Sequence, residues 1–203
     1  MATLPRPAPK DPLPLAARWL AEAEPAVDKN PWAMALATAT AEGRPSVRYV
    51  LLKSLSSEDR HIVFYTNYGS RKAVELEATG FGAGVLYWPA LGRQLRFEGA
   101  VERSPAAESD AYFVTRPRMS QLNARVSRQS RPIESPDALL SRSDAENERL
   151  ADQDAIERPP GWGGYRLKID AIEFWSEGGD RFHERLRFEW QDAGGWSSSW
   201  LQP

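Results

Sequence analysis

The sequence predicts an α+β fold built on an antiparallel β-barrel, with helices inserted between its strands. Three observations carry this. Stretches rich in β-branched, aromatic and alternating apolar residues recur along the chain. Short polar or glycine-bearing turns join most of them, as hairpin connections require and parallel strands do not. Neither a glycine-rich Rossmann turn nor a P-loop pattern is present. About eight strands and five helices are expected in one domain, residues 13–203, preceded by an arm at residues 1–12.

The opening "MATLPRPAPKDPLP" is rich in proline and has no apolar signal-peptide core, so it reads as a mobile arm. "LAARWLAEAE" is a short amphipathic helix. "AMALATATA" alternates, "EGRP" turns the chain into "SVRYVLLKSL", and "SSEDR" leads on to "HIVFYT". Together these make an antiparallel meander. "SRKAVELEA" is a helix, and "GAGVLYW" and "RQLRFEGAVER" are strands around "PALG". Ser104, Pro105 and Glu108 mark a helix start that runs through "AAESDAYFVT" until Pro117 stops it. Helices over "SQLNARVSRQ" and "SPDALLSRSDAENERLAD" follow. After the linker "ERPPGWGG", the strands "YRLKIDAIEFW", "RFHERLRFEW" and "GWSSSWLQ" close the chain.

Composition narrows the function. The 203 residues carry a formal net charge of −2, which argues against a general nucleic-acid binder, so any cationic site must be local. With no cysteine, disulfides, thiolate chemistry and Cys-based metal centres are excluded, and a reducing cytoplasm fits. The two histidines are far apart, which disfavours a His-rich metal site. No apolar run approaches the ~20 residues needed to span a bilayer.

Four cationic constellations stand out. Arg71 and Lys72 open a predicted helix, where the macrodipole disfavours cations unless an anion docks there; the alternative is that both swing into solvent. Tyr112 and Arg116 are spaced to share a helix face, with Ser120 at the start of the next helix, a trio that suits a phosphate. It suits equally a helix end stabilised by Arg116 with Tyr112 half in the core. Lys53 follows a buried-looking run and is expected either to emerge into a cavity or to mark where its strand meets water. In "DRFHERLRF", read as a strand, Arg181, His183, Arg185 and Arg187 share one face, opposite Phe182, Leu186 and Phe188. No catalytic triad or carboxylate pair is visible. The inventory of cations, hydroxyls, amides and aromatics suits a phosphorylated cofactor that brings its own reactivity.

These stretches have a family pattern. "RYVLLK", "FYTNYGSRKA", "GRQLRFEG", "YFVTRPRMSQ", "VSRQS", "WGGYRL", "IEFW" and "RFHERLRF" occur in the order found in FMN-dependent pyridoxine/pyridoxamine 5′-phosphate oxidases, which the chain resembles from about residue 30 to its end. The resemblance implies a split β-barrel and a homodimer with FMN at the subunit interface. It implies an FMN phosphate held by Arg71 and Lys72 with Arg48, Thr66 and Ser130, and a flavin site completed by Lys53, Tyr65, Gln94, Gln129, Trp175 and Arg185. Lys53, Tyr112, Arg116 and Ser120 would grip the substrate phosphate, with Arg181 and His183 as catalytic residues facing the pyridine ring. The implied reaction takes pyridoxamine or pyridoxine 5′-phosphate to pyridoxal 5′-phosphate, with dioxygen reduced to hydrogen peroxide.

The chain departs from the family pattern at Asn123–Arg125, at Trp200 in place of a common arginine, and in the arm, which lacks an Arg/Tyr lid. Related flavin oxidases of phenazine biosynthesis share "GVLYW" and "HERLR", whereas Lys53, "TRPRMS" and "WGGYR" favour the vitamin B6 reaction. A non-catalytic flavin- or B6-phosphate-binding protein on the same barrel is the remaining alternative, against which the retention of Arg181 and His183 speaks.

Overall fold

Backbone pairing closes six antiparallel strands into a barrel, and three more extend it. The computed structural model describes residues 4–203. In chain order the elements are α1 (Leu13–Ala26), β1 (Ala33–Ala39), β2 (Pro45–Ser56), β3 (His61–Asn67), α2 (Arg71–Thr79), β4 (Phe81–Trp88) and β5 (Arg93–Arg103). Then come α3 (Ala106–Val114), α4 (Arg118–Val126), α5 (Pro136–Arg149), β6 (Trp162–Lys168), β7 (Ala171–Ser176), β8 (Glu184–Trp190) and β9 (Trp196–Leu201). The strand order β4-β1-β2-β3-β6-β5 returns to β4, and β7-β8-β9 continue outward from β5.

The split in the barrel is made by β5. Its residues 93–98 pair with β7, while Val101–Arg103 pair with Leu167–Tyr165 of β6. At the crossing, a Cβ on Gly99 would sit 1.7 Å from the Lys168 carbonyl oxygen, so only glycine lets the two backbones approach. Asp170 secures the break: its N–H donates to the Glu98 carbonyl (2.9 Å) and its carboxylate accepts from the Ala100 N–H (3.2 Å). The segment "YRLKIDAIEFW", expected as one strand, is therefore two, and the described residues hold nine strands. Alternation is a local signal and does not register that a strand has changed partners.

Alternating residues fill the interior: Met34 and Leu36, Leu52, Phe64, Leu86, Leu95 and Phe97, Leu167, Phe174, Leu186 and Phe188 are all buried, each worth ~1.5–3 kcal/mol in apolar transfer. Helix α1 lays Leu13, Ala16, Trp19 and Leu20 on this core, with Trp19 edge-on to Phe174. A second, smaller cluster of Phe113, Leu122, Leu150, Ile156 and Trp162 sits under the helical excursion between β5 and β6.

On β2, Arg48, Val50 and Leu52 share the face that turns inward, and Leu52 is fully buried. The opposite face is not buried: Val47, Tyr49 (76% exposed) and Leu51 point outward. Lys53 lies not at the strand's end but within it, where the β2–β3 register shifts between Leu52 and Ser54. Residues 1–3 of the arm lie outside the described residues. Leu4 is buried, its N–H donates to Glu184 Oε2 (2.8 Å), and Arg6 pairs with Glu184 (2.6 Å) beneath the Trp200 ring. Trp200 thus packs on Arg6. No helix among the described residues is long and apolar enough to cross a membrane.

Candidate active site

A cavity of about 950 Å³ opens between β2, β3 and the α3–α4 excursion. Its walls bring together Lys53, Tyr65, Thr66, Lys72, Tyr112, Arg116, Ser120 and Gln129, residues dispersed over nearly 80 positions of sequence.

Lys72 anchors one end. It stands in the first turn of α2 and is only 6% exposed. Its Nζ donates to Gln129 Oε1 (2.8 Å), Thr66 Oγ1 (3.0 Å) and Ser70 Oγ (3.4 Å). All three partners are neutral, and among the described residues no carboxylate lies within ion-pair reach. Burial, reinforced by the charge of Arg48, lowers its pKa from 10.5 to about 8. A buried ammonium without a counter-charge is unfavourable unless a ligand supplies one.

Arg71, its neighbour, donates from Nε to Glu75 Oε1 (2.7 Å), while its backbone N–H donates to Ser130 Oγ (3.2 Å). Arg71 and Ser130 line an adjoining depression rather than the main cavity. Arg48 turns its guanidinium into the barrel, to the Leu36 carbonyl, Thr38, Ser46 and Glu75.

The other end of the cavity is aromatic and cationic. Tyr65, Tyr112 and Trp162 stack nearly parallel, Tyr65 lying 4.0 Å from Tyr112 and 5.4 Å from Trp162 between ring centres. Burial pushes the Tyr65 hydroxyl up to about 12, so it stays protonated. Helix α3 ends at Val114, so Tyr112 and Arg116 do not share a helix face as predicted. Arg116 instead follows in the turn before α4 and lies over Trp162 at 4.5 Å. Its Nη1 is buried without a hydrogen-bond partner, and burial lowers its pKa. Lys53 Nζ stands 5.7 Å from the Tyr112 ring centre, and Ser120 lies in the first turn of α4.

The remaining predicted residues form a second group. Gln94, Trp175 and Arg185 lie opposite one another across β5, β7 and β8. Arg185 grips Glu173 through two bonds (2.9 and 3.2 Å), and Arg187 grips Glu98 likewise. The cationic face of "DRFHERLRF" is thus largely matched by carboxylates of β5 and β7. Its first residues are not strand: Gly179–Arg181 form a 3₁₀ turn in which Asp180 (φ 51°) and Arg181 (φ 65°) are left-handed. Phe182, expected on the apolar face, is 78% exposed. Within this turn the Gly178 N–H donates to His183 Nδ1 (3.3 Å), which places the proton of the neutral ring on Nε2. Gln94, Trp175, Arg181, His183 and Arg185 are absent from the lining of the cavity.

Sequence reasoning missed Glu75, Asn67 and Asn123. Asn67 lines the cavity and ties β3 to the Ser127 carbonyl (3.1 Å), and Asn123 lines it beside Ser120. The departures around Asn123 have structural partners: Asn123 accepts from Ser143 of α5, and Arg125 binds Glu146. Only Glu75 had a readable signal, its i,i+4 spacing from Arg71.

A six-stranded antiparallel barrel, opened by a strand that serves two sheets and carrying an anion-seeking cavity in its wall, defines the split-barrel class. Residues 21–150 match a family model described as pyridoxamine 5′-phosphate oxidase, and residues 162–203 one described as the pyridoxine 5′-phosphate oxidase C-terminal dimerisation region. The chain belongs to the pyridoxine/pyridoxamine 5′-phosphate oxidase family, a family of oxidoreductases. Curated relatives of that name include one from Cereibacter sphaeroides, 46% identical over 95% of each chain. Another, from Rubrobacter xylanophilus, is 49% identical over 95% of this chain and 87% of its own. Among solved structures, PhzG from Burkholderia lata in complex with tetrahydrophenazine-1-carboxylic acid superposes with a TM-score of 0.90 at 36% identity, covering 100% of this chain and 98% of its own.

Proposed function

We propose that this chain is an FMN-dependent oxidase that converts pyridoxamine or pyridoxine 5′-phosphate to pyridoxal 5′-phosphate, with dioxygen reduced to hydrogen peroxide. The buried, carboxylate-free ammonium of Lys72 carries the reading, because it calls for a permanent anion at the start of α2. Lys72, Thr66 and Gln129, with Arg71 and Ser130 beside them, suit the FMN phosphate. When bound, FMN supplies the hydride acceptor and the route of electrons to dioxygen. The unpartnered Nη1 of Arg116, with Lys53, Tyr112 and Ser120, suits a second phosphate, that of the substrate.

The second group of residues completes the site from another copy of the chain. Trp175, Gln94 and Arg185 would hold the flavin ring, and Arg181 and His183 Nε2 would orient the substrate. Support for this homodimer comes from the outward Val47, Tyr49 and Leu51 and from the match to a dimerisation region. The work is assigned to the cytoplasm, in keeping with a chain free of cysteine.

The likeness to PhzG favours one competing reading, oxidation of a reduced tricyclic carboxylate. A peroxide-release assay separates the two. We expect turnover with pyridoxamine 5′-phosphate and little with a tetrahydrophenazine carboxylate. Preference for the carboxylate, or no peroxide from either B6 phosphate, would overturn the proposal.

A further inference from the structure

Glu75 poses a puzzle. It is 4% exposed, yet it pairs with Arg48 and Arg71 beside the site proposed for a phosphate, where a bare carboxylate would repel that anion. We propose that Glu75 is a positioning residue that aims the Arg71 guanidinium at the cofactor phosphate. This rests on the phosphate site proposed above.

The two oxygens have separate tasks. Oε1 accepts from Arg71 Nε (2.7 Å). Oε2 accepts from Ser46 Oγ (2.6 Å), from Thr38 Oγ1 and from Arg48 Nη2 (3.3 Å). Thr38 and Ser46 lie opposite each other on β1 and β2, as do Leu36 and Arg48, so the carboxylate is the node that ties α2 to the barrel wall. With Nε committed, both Nη groups of Arg71 are without a partner among the described residues and form the outer edge of the guanidinium. That edge matches two oxygens of a phosphate. The charge also fits: Glu75 pairs with Arg48 and Arg71, which leaves one net positive charge on that trio, and the unpaired ammonium of Lys72 adds a second, the complement of a phosphate dianion.

The test compares FMN with riboflavin, which lacks the phosphate. Flavin-stripped protein is titrated with each while quenching of flavin fluorescence is followed. Glu75→Ala and Glu75→Gln are examined in both the parent and an Arg71→Ala background, with thermal unfolding as the check on folding. We expect the parent to prefer FMN. Glu75→Ala should cut that preference about tenfold, the worth of one charge-assisted contact, with riboflavin affinity unchanged. Glu75→Gln, whose amide oxygen still accepts from Arg71, should cut it less. In Arg71→Ala neither change should reduce it further. Should Glu75→Ala fail to fold, the Gln variant in the two backgrounds carries the same comparison. Equal losses for FMN and riboflavin would make Glu75 merely structural. A raised FMN preference, or the same loss without Arg71, would also overturn the proposal. A parent that does not prefer FMN would instead bring down the phosphate site itself, and this inference with it.

Discussion

Replacing Lys72 with methionine should strengthen the flavin-free fold and weaken the cofactor at the same time. The fall of its pKa from 10.5 to about 8 corresponds to about 3 kcal/mol of destabilisation when the buried amine is charged, at 1.36 kcal/mol per pH unit. Methionine fills similar volume without the charge. Thr66 Oγ1 and Gln129 Oε1 already bond to each other (2.9 Å), so neither is orphaned by the change. We expect a gain of about 1–3 kcal/mol, or several degrees in Tm for a chain of this size. FMN loses a charge-assisted bond worth about 1.5–3 kcal/mol, a ten- to hundredfold rise in Kd. The pH dependence has a definite sign. The folded value lies below the unfolded one, so the unfolded chain holds the extra proton between about pH 8 and 10.5. The penalty is full below pH 8 and is relieved as the pH rises toward 10.5. With the FMN phosphate on Lys72 as proposed, binding requires the charged amine, so the parent's affinity should fall above pH 8 while the variant's stays flat. Calorimetry of flavin-free protein and flavin titrations from pH 7 to 10 provide the check. A lowered Tm together with undiminished FMN affinity would refute the reasoning.

Three further outcomes are expected. Arg116→Ala removes the cation whose Nη1 has no protein partner, so KM for pyridoxamine 5′-phosphate should rise at least about tenfold with kcat less affected; steady-state kinetics showing an unchanged KM would contradict the substrate-phosphate assignment. In Gly178→Ala the new Cβ would lie 1.9 Å from the Phe182 carbonyl oxygen, forcing the turn that carries Arg181 and His183 to move. Flavin should remain bound while its reduction by substrate, followed in a single turnover, slows by up to about a hundredfold. Tyr49→Arg places a charge on the outward face of β2, and light scattering should find monomers that lose flavin.

The elements were largely legible because each is written in a local pattern. The strand "RQLRFEGAVER" coincides with β5 from Arg93 to Arg103, and Arg71 and Lys72 do open α2. What escaped was non-local. The break at Ile169–Asp170 arises where pairing passes from β3 to β8, and no alternation marks it. The turn at Gly178–His183 rests on two left-handed non-glycine residues and a backbone bond to His183, so a strand pattern continued over it unchallenged. The site divided in the same way. Residue types that seek anions could be picked out along the chain, but their partners could not. Glu173 and Glu98 meet Arg185 and Arg187 only once the sheet has formed, and Glu75 meets Arg48 only once α2 packs on β1.

The small second cluster has a kinetic consequence. One wall of the cavity is barrel, held by the main core; the other is the helical excursion, held by Phe113, Leu122, Leu150, Ile156 and Trp162 together with polar ties such as Arg118 to the Leu150 and Gln153 carbonyls. Units with so little apolar anchoring open by sub-global unfolding well before the rest of a domain. Amides of α4 and α5 should therefore exchange with solvent far sooner than those of β3 or β5. Each such opening exposes Lys72 and its neighbours while the barrel stays intact. For the flavin proposed to bind there, retention should follow the lifetime of the closed excursion, and protein that loses its colour on warming should still be folded.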